Sequence, residues 1–210
     1  MSQIDDLIGE LCPAGVAYMA LDELFETRNG YTPSKSNASN WTDGIIPWFR
    51  MDDIRSNGRV LHDAVQHIPE SAVKGGRLFP ANSIIVATSA TIGEHALITV
   101  PFMCNQRFTA LFLKPDFIAG FDMKFVFYYC FVLDEWCRNN ITVSSFASVD
   151  MVGFRKFRFP VPPRAVQAEI VGILDKFTGL EAELEAELEA RRRQYAHYRD
   201  KLLAFQEAAA

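Results

Sequence analysis

Positive charge is missing from the first 26 residues, which hold Asp5, Asp6, Glu10, Asp22, Glu23 and Glu26 without one Lys or Arg. A secretory leader with a basic start is therefore not expected here. Long apolar runs are scarce too. The most apolar stretch, residues 125–133, covers nine residues between Lys124 and Asp134, far short of the roughly 20 that a bilayer crossing needs. The expectation is a cytoplasmic chain with no membrane partner. Its four cysteines, Cys12, Cys104, Cys130 and Cys137, show no CxxC spacing and are expected as free thiols in a reducing compartment. The histidines, His62, His67, His95 and His197, are scattered, without the HExxH or Cys/His spacing of a zinc site, so no metal is expected. Phosphate-cradling GxxxxGK and GxGxxG loops and an Asn-Pro-Pro-Tyr type motif are also absent. No cofactor is expected in this chain.

What is present is enough for a core. Hydrophobic residues make up 49% of the chain, with 17 Phe, which argues against disorder. Net charge is −5, on its face a poor match for nucleic acid, but it is unevenly spread. Residues 1–26 carry −6 and residues 165–210 carry −3, leaving residues 27–164 at +4. A mildly basic middle between acidic ends permits DNA as a partner.

The pattern along residues 1–160 predicts an α+β domain with a mixed, mainly antiparallel sheet. An amphipathic helix is expected over residues 2–11, from Ile4, Leu7, Ile8 and Leu11, then a strand and a helical turn within 17–27. Strands are expected at 45–50, 84–88, 95–99 and 108–113, where β-branched or aromatic runs are broken by Gly or Pro. Residues 69–74 read as helical turns closed by Gly75-Gly76. Residues 121–138, apolar almost all round, read as a buried helix. The alternation Phe154, Arg155, Lys156, Phe157, Arg158, Phe159 predicts a strand or extended arm.

After Phe159-Pro160-Val161-Pro162-Pro163, which cannot be helical throughout, residues 164–205 read as one long helix, followed by a short tail at 206–210. Phe177, Leu180, Leu184, Leu188, Tyr195, Tyr198 and Leu202 recur mostly at steps of three and four, the seam of a coiled coil with an irregularity near Leu184 to Leu188. At 1.5 Å per residue the rod runs roughly 60 Å, too long to bury its stripe in a small domain. It calls for a partner helix. Glu181, Glu183, Glu185, Glu187 and Glu189 precede Arg191, Arg192 and Arg193, so an antiparallel pair could set acidic block against basic block. The alternative is a solvated face on a helix that packs on its own domain.

Enzyme signatures are poor. Ser71-Ala72-Val73-Lys74 fits SxxK but lacks its SDN and KTG companions. A Cys104–His95 nucleophile is conceivable, yet Cys104 lies beside Phe102 and Met103 and reads as a core thiol. A Cys or Ser hydrolase is one alternative reading, and a coiled-coil adaptor with a protein-binding α+β head is another.

Four polar segments, residues 28–35, 50–59, 88–93 and 105–107, the first three with a Gly, would cluster if the strands pair locally. They offer Arg and Lys to phosphates, and amides, hydroxyls and Arg to base edges. Aromatics Tyr31, Trp41, Trp48 and Phe49 are interleaved. Arg28, Lys35, Arg50, Arg55 and Arg107 are the candidates for phosphate or guanine, and Asn29, Ser89, Thr91, Asn105 and Gln106 for polar or base-edge contacts.

Five motifs in order carry a resemblance. Asn29-Gly30-Tyr31-Thr32-Pro33-Ser34, Ile46-Pro47-Trp48, residues 88–93 with Thr91-Ile92-Gly93, Asn105-Gln106-Arg107-Phe108, and residues 159–163 followed by Gln167 and Ile170 resemble the target-recognition domain of type I restriction–modification specificity subunits. The close, Gln194-Tyr195 then residues 198–203 and Phe205, is similar to that family's spacer helix. The resemblance implies a non-catalytic subunit that reads a bipartite site in double-stranded DNA. It also implies separate modification subunits holding S-adenosylmethionine, and a separate restriction subunit using ATP and Mg. A full subunit of that kind has two recognition domains and two spacer helices, whereas this sequence has one of each. It therefore implies a half-subunit that pairs antiparallel with itself or with a different half.

Overall fold

The computed structural model describes residues 3–143 and 147–205; the tail at 206–210 lies outside them. The chain divides into two compact units, residues 1–168 and 169–210.

The first unit begins with helix α1, Gln3–Leu11. Strand β1, Tyr18–Ala20, leads into the single-turn helix α2, Leu21–Leu24, whose Leu21 and Leu24 are fully buried. Strand β2, Phe25–Asn29, follows without a break. After a long loop, β3 spans Ile46–Phe49.

Residues 51–57, expected as part of a polar loop, are instead helix α3, Met51–Asn57. The cause is local. Asp53 accepts hydrogen bonds from the Arg50 backbone N–H (2.7 Å) and the Val65 N–H (2.7 Å) while fully buried, which caps the orphan donors of a helix start. Gly58, at φ 81°, closes the other end, as glycine readily does.

Two short strands come next, β4 (Val60–Leu61) and β5 (His67–Ile68), and then 3-10 turns at Glu70–Ala72 and Lys74–Gly76. The sheet strands proper are β6 (Ser83–Ala87), β7 (His95–Ile98), β8 (Met103–Cys104) and β9 (Phe108–Leu113).

These assemble a five-stranded sheet in the order β2-β9-β6-β7-β4 and a three-stranded one in the order β5-β3-β8. Pairing is antiparallel except for β3 with β8 and β4 with β7. Every residue of the central strand β6 is buried, as a strand covered on both faces must be. One core joins the two sheets, with Phe49, Phe79, Phe102 and Phe108 at or below 1% exposure.

Helix α4, Met123–Asn139, is capped by Asp122, which accepts from the Lys124 N–H at 2.8 Å, and packs against β6 and β7. It buries one face; Phe131 and Val132 remain about half exposed, at 45% and 48%, so the helix is not covered all round. A hairpin of β10 (Ile141–Val143) and β11 (Ala147–Val149) follows.

The alternating Phe/Arg/Lys stretch is also corrected. Its first half is helix α5, Met151–Lys156, and only Arg158–Pro160 forms a strand, β12, paired with β1. Asp150 caps α5 by accepting the Val152 N–H at 3.0 Å, and burial of Phe154 fixes the inward face. Capping and burial override an alternation that is readable either way.

Helix α6, Arg164–Leu203, forms as expected. Its root lies in the first unit, where the fully buried Gln167 accepts from the Asp122 N–H at 2.7 Å and donates to the Gly120 and Pro162 carbonyls at 2.9 Å each. A glutamine so placed uses both ends of its amide, which fits its position in the motif after the prolines.

The second unit is the remainder of α6. Phe177 (65% exposed), Leu180, Leu184 (66%), Leu188, Tyr195, Tyr198 and Leu202 are all exposed on it. Its basic block is partly engaged within the same helix, Arg191 with Glu187 (3.3 Å) and Arg193 with Glu189 (3.2 Å). Exposed i,i+4 pairs of this kind contribute only about 0.3–0.5 kcal/mol.

Candidate nucleic-acid interface

Three of the four polar segments leave the same end of the five-stranded sheet. Asn29, the last residue of β2, is opposite Thr109 at the start of β9, and Ala87, the last of β6, is opposite Phe108. Backbone bonds draw the loops together: Gly30 N–H to the Phe108 carbonyl (2.9 Å), Tyr31 N–H to the Cys104 carbonyl (2.7 Å), Thr88 N–H to the Arg107 carbonyl (3.0 Å). Asn105 N–H donates to the Phe49 carbonyl at 3.1 Å, which brings the end of β3, and Arg50 after it, to the same place.

The aromatics of the loop are mainly braces. Trp48 Nε1 donates to the Tyr31 carbonyl (2.9 Å), and Trp41 Nε1 to the Ser34 carbonyl (3.1 Å). The two indoles meet edge to face at 4.9 Å.

A hollow of ≈ 430 Å³ results, lined by Lys35, Arg50, Asn105, Gln106 and Arg107 among others. Lys35, Gln106 and Arg107 are exposed and Asn105 half-buried. Arg50 lies with its guanidinium 5.8 Å from the Trp48 ring centre and 3.9 Å from Asp52, and its Nε is buried without a hydrogen-bond partner.

The amides share a property. Asn105 Oδ1 accepts the Arg107 backbone N–H (3.0 Å), Gln106 Oε1 accepts the Thr32 hydroxyl, and Asn29 Oδ1 accepts the Thr109 hydroxyl (3.0 Å). Thr109 in turn meets the Thr88 hydroxyl at 3.0 Å. With their carbonyl ends engaged, these amides offer N–H groups, which suit phosphate oxygens and the acceptor edges of guanine and thymine.

The remaining expected residues separate. Ser89 bridges to Ser148 of β11. The Thr91 hydroxyl is enclosed by protein. Its neighbour Gly93, at φ 80°, sits so close to α4 that a Cβ would lie 2.6 Å from the Asp134 carbonyl oxygen, and its own carbonyl accepts from Arg138 at 2.6 Å. The Thr91-Ile92-Gly93 motif thus fastens the loop to α4. Arg55 is exposed in the last turn of α3 and lines neither this hollow nor the next.

A second hollow, of ≈ 570 Å³, adjoins the first. Arg28 and Asn29 line it with three cations that were not among the expected DNA contacts, Lys74, Arg77 and Arg155. Arg28 lies with its guanidinium 4.0 Å from the Phe79 ring centre, and its Nη2 is buried without a partner. Burial, then the neighbouring Arg77, lowers its pKa; Cys104 and Glu26 act the other way. The missed residues come from a Gly-rich turn and from α5. Only their positive charge pointed to an anion beforehand.

The hydrolase alternatives find no support in the placement. Cys104 is fully buried in β8, and burial pushes its thiol well above the usual range. His95, also fully buried, has its Nδ1 2.6 Å from Asp134 Oδ2, with Arg59 3.7 Å from the same oxygen. The Lys74 ammonium lies 5.4 Å from the Tyr31 ring centre. Among the described residues no group of three or more His, Cys, Asp or Glu could hold a metal ion, and no helix is long and apolar enough to cross a membrane.

Comparison with known proteins bears on the chain as a whole. Residues 13–190 match the family model described as the type I restriction modification DNA specificity domain. The chain is 56% identical to the type I restriction enzyme EcoprrI specificity subunit of Escherichia coli, over 99% of this chain and 54% of that protein. It is 34% identical to the EcoR124I/EcoR124II specificity subunit of the same organism, over 90% of this chain and 48% of that protein. The crystal structure of the HsdS subunit from Thermoanaerobacter tengcongensis is similar in fold, with a TM-score of 0.63 and 17% identity over 88% of this chain and 44% of that one. The chain spans about half the length of the relatives it matches. It belongs to the type I restriction–modification DNA specificity family.

Proposed function

We propose that the chain is a non-catalytic, sequence-reading half of a type I specificity subunit that directs modification and restriction subunits to a bipartite site in double-stranded DNA. The observation that carries this is the convergence of Lys35, Arg50, Asn105, Gln106 and Arg107 on one hollow at the end of the sheet. A DNA contact at that end uses Arg28, Lys35, Arg50 and Arg107 for phosphate or guanine, and Asn29, Asn105 and Gln106 for polar or base-edge contacts, while Ser89, bridged to Ser148 and lining neither hollow, stands aside. Arg55 contributes at most a peripheral charge. Thr91 shapes the loop rather than touching DNA. The setting is that of the chromosome, the cytoplasm.

The exposed stripe from Phe177 to Leu202 supports the second part of the reading: an antiparallel pairing of α6 with the same helix of a second copy, or with a different half. A twofold dimer would read an inverted repeat, with the helices setting the distance between half-sites. S-adenosylmethionine belongs to the modification subunits, and ATP and Mg to the restriction subunit.

The test is genome-wide mapping of adenine methylation in a host with and without the gene, with the modification subunit supplied. An inverted-repeat bipartite motif that disappears with the gene supports the homodimer. An asymmetric motif means pairing with another half. If no methylation depends on the gene, the adaptor reading replaces this one.

A further inference from the structure

We infer that the second hollow is a clamp for one backbone phosphate of duplex DNA, closed by Arg28, Lys74, Arg77 and Arg155. The inference rests on the DNA-reading function proposed above and adds to it a site with a separate task.

The two neighbouring hollows differ in chemistry. The first mixes cations with the Asn105 and Gln106 amides and also contains Asp52. The second has four cations and no carboxylate in its lining. None of those four meets a carboxylate in an ion pair among the described residues. Four like charges drawn from β2, a Gly-rich turn and α5 repel one another, so the fold holds them together at a cost that a bound anion would offset. The Nη2 of Arg28 is buried without a hydrogen-bond partner, and a buried donor left so is costly, so a small shift of the guanidinium toward a bound anion would satisfy it.

The clamp is also preset. The Arg28 guanidinium lies against the Phe79 ring at 4.0 Å, and the Lys74 ammonium is 5.4 Å from the Tyr31 ring centre, which limits the freedom lost on binding. A phosphodiester offers two unbridged oxygens to planar guanidinium forks, the geometry that Arg suits best.

Position favours DNA over a free anion. Tyr31 borders this hollow and Thr32 borders the other, and consecutive Cα atoms are only about 3.8 Å apart. A strand held here by its phosphate would place its neighbouring nucleotides beside the amides of the first hollow. Phosphate contacts set register and base contacts set sequence.

The test measures binding of the whole chain to a mixed-sequence duplex by fluorescence anisotropy over a range of salt, for the wild type and the R77Q/R155Q variant. Both residues are exposed, so folding should be retained, as circular dichroism melting would show. Loss of one charge-assisted phosphate contact should weaken binding about tenfold or more. The log-log salt slope should become shallower by about one. A variant with wild-type affinity and slope overturns the clamp and leaves the DNA reading intact. A wild-type chain that binds no duplex overturns both.

Discussion

Gly30 lies against the backbone of Asn105 so closely that a Cβ at Gly30 would penetrate the Asn105 carbonyl group. Neither residue could see the other in the sequence, 75 positions apart. Their approach joins the loop after β2 to the turn before β9, and so builds the wall between the two hollows.

Gly30→Ala should therefore damage the site more than the fold. Overfilling of this kind typically costs about 1–3 kcal/mol, read as a lower urea midpoint, with duplex affinity falling further than that loss explains. Gly172→Ala is the control: nothing lies within 4 Å of its added Cβ, and it should stabilise helix α6 by about 1 kcal/mol. Equal behaviour of the two variants would show that the close approach is unimportant.

Asp53 is a positioning residue. Its carboxylate caps α3 and holds the backbone of Arg50 and of Val65. Asp53→Ala should cost about 3 kcal/mol, since hydrogen bonds to a charged group contribute roughly 1.5–3 kcal/mol each, and should also weaken DNA binding through Arg50. Stability within 0.5 kcal/mol of wild type (a typical surface effect) in chemical denaturation would remove it from that role.

Arg107→Glu places negative charge at an exposed position of the first hollow. Duplex binding should drop while the melting temperature holds. Unchanged binding would take Arg107 off the interface.

If α6 pairs as proposed, Leu184→Lys or Leu188→Lys should dissolve the pair, because each puts a charge into the exposed apolar stripe. Sedimentation velocity would report it. Variants that still run as dimers would mean that another surface holds the copies together.

The thiols provide a pH test. Cys137, buried and next to Asp134, is pushed up from 9.0 to about 12, and Cys130 is raised as well, first by burial. A folded-state pKa above the unfolded value means that the unfolded chain releases its thiol protons first. Stability should be unaffected below pH 9 on this account and fall between about pH 9 and 12. In the native state an aromatic disulfide reagent should react with half-buried Cys12 well before the three buried thiols. Four equal rates would contradict the burial.

Patterns with a period were legible without coordinates: the strands β3, β6, β7 and β9, the helix α4, and above all α6, whose heptad-like stripe and proline-marked start survive in the fold. Local spacing alone carries that information. Helix α3 was not legible, because its cap depends on Asp53 being buried against Val65, twelve residues on. Nor was α5, whose alternating charges fit either period until Asp150 and Phe154 decide.

The sequence by itself determined the family, through short motifs in order, the α+β class and the long apolar-striped helix. Tertiary structure decided which charges act together. Arg28, Lys74, Arg77 and Arg155 share one hollow only because β2, the Gly75-Gly76 turn and α5 are folded onto one core, while Arg55, in a segment that looked equally suitable, lines neither hollow. Charge is a property of a residue, but an electrostatic site is a property of distances, and distances between remote segments are set by packing.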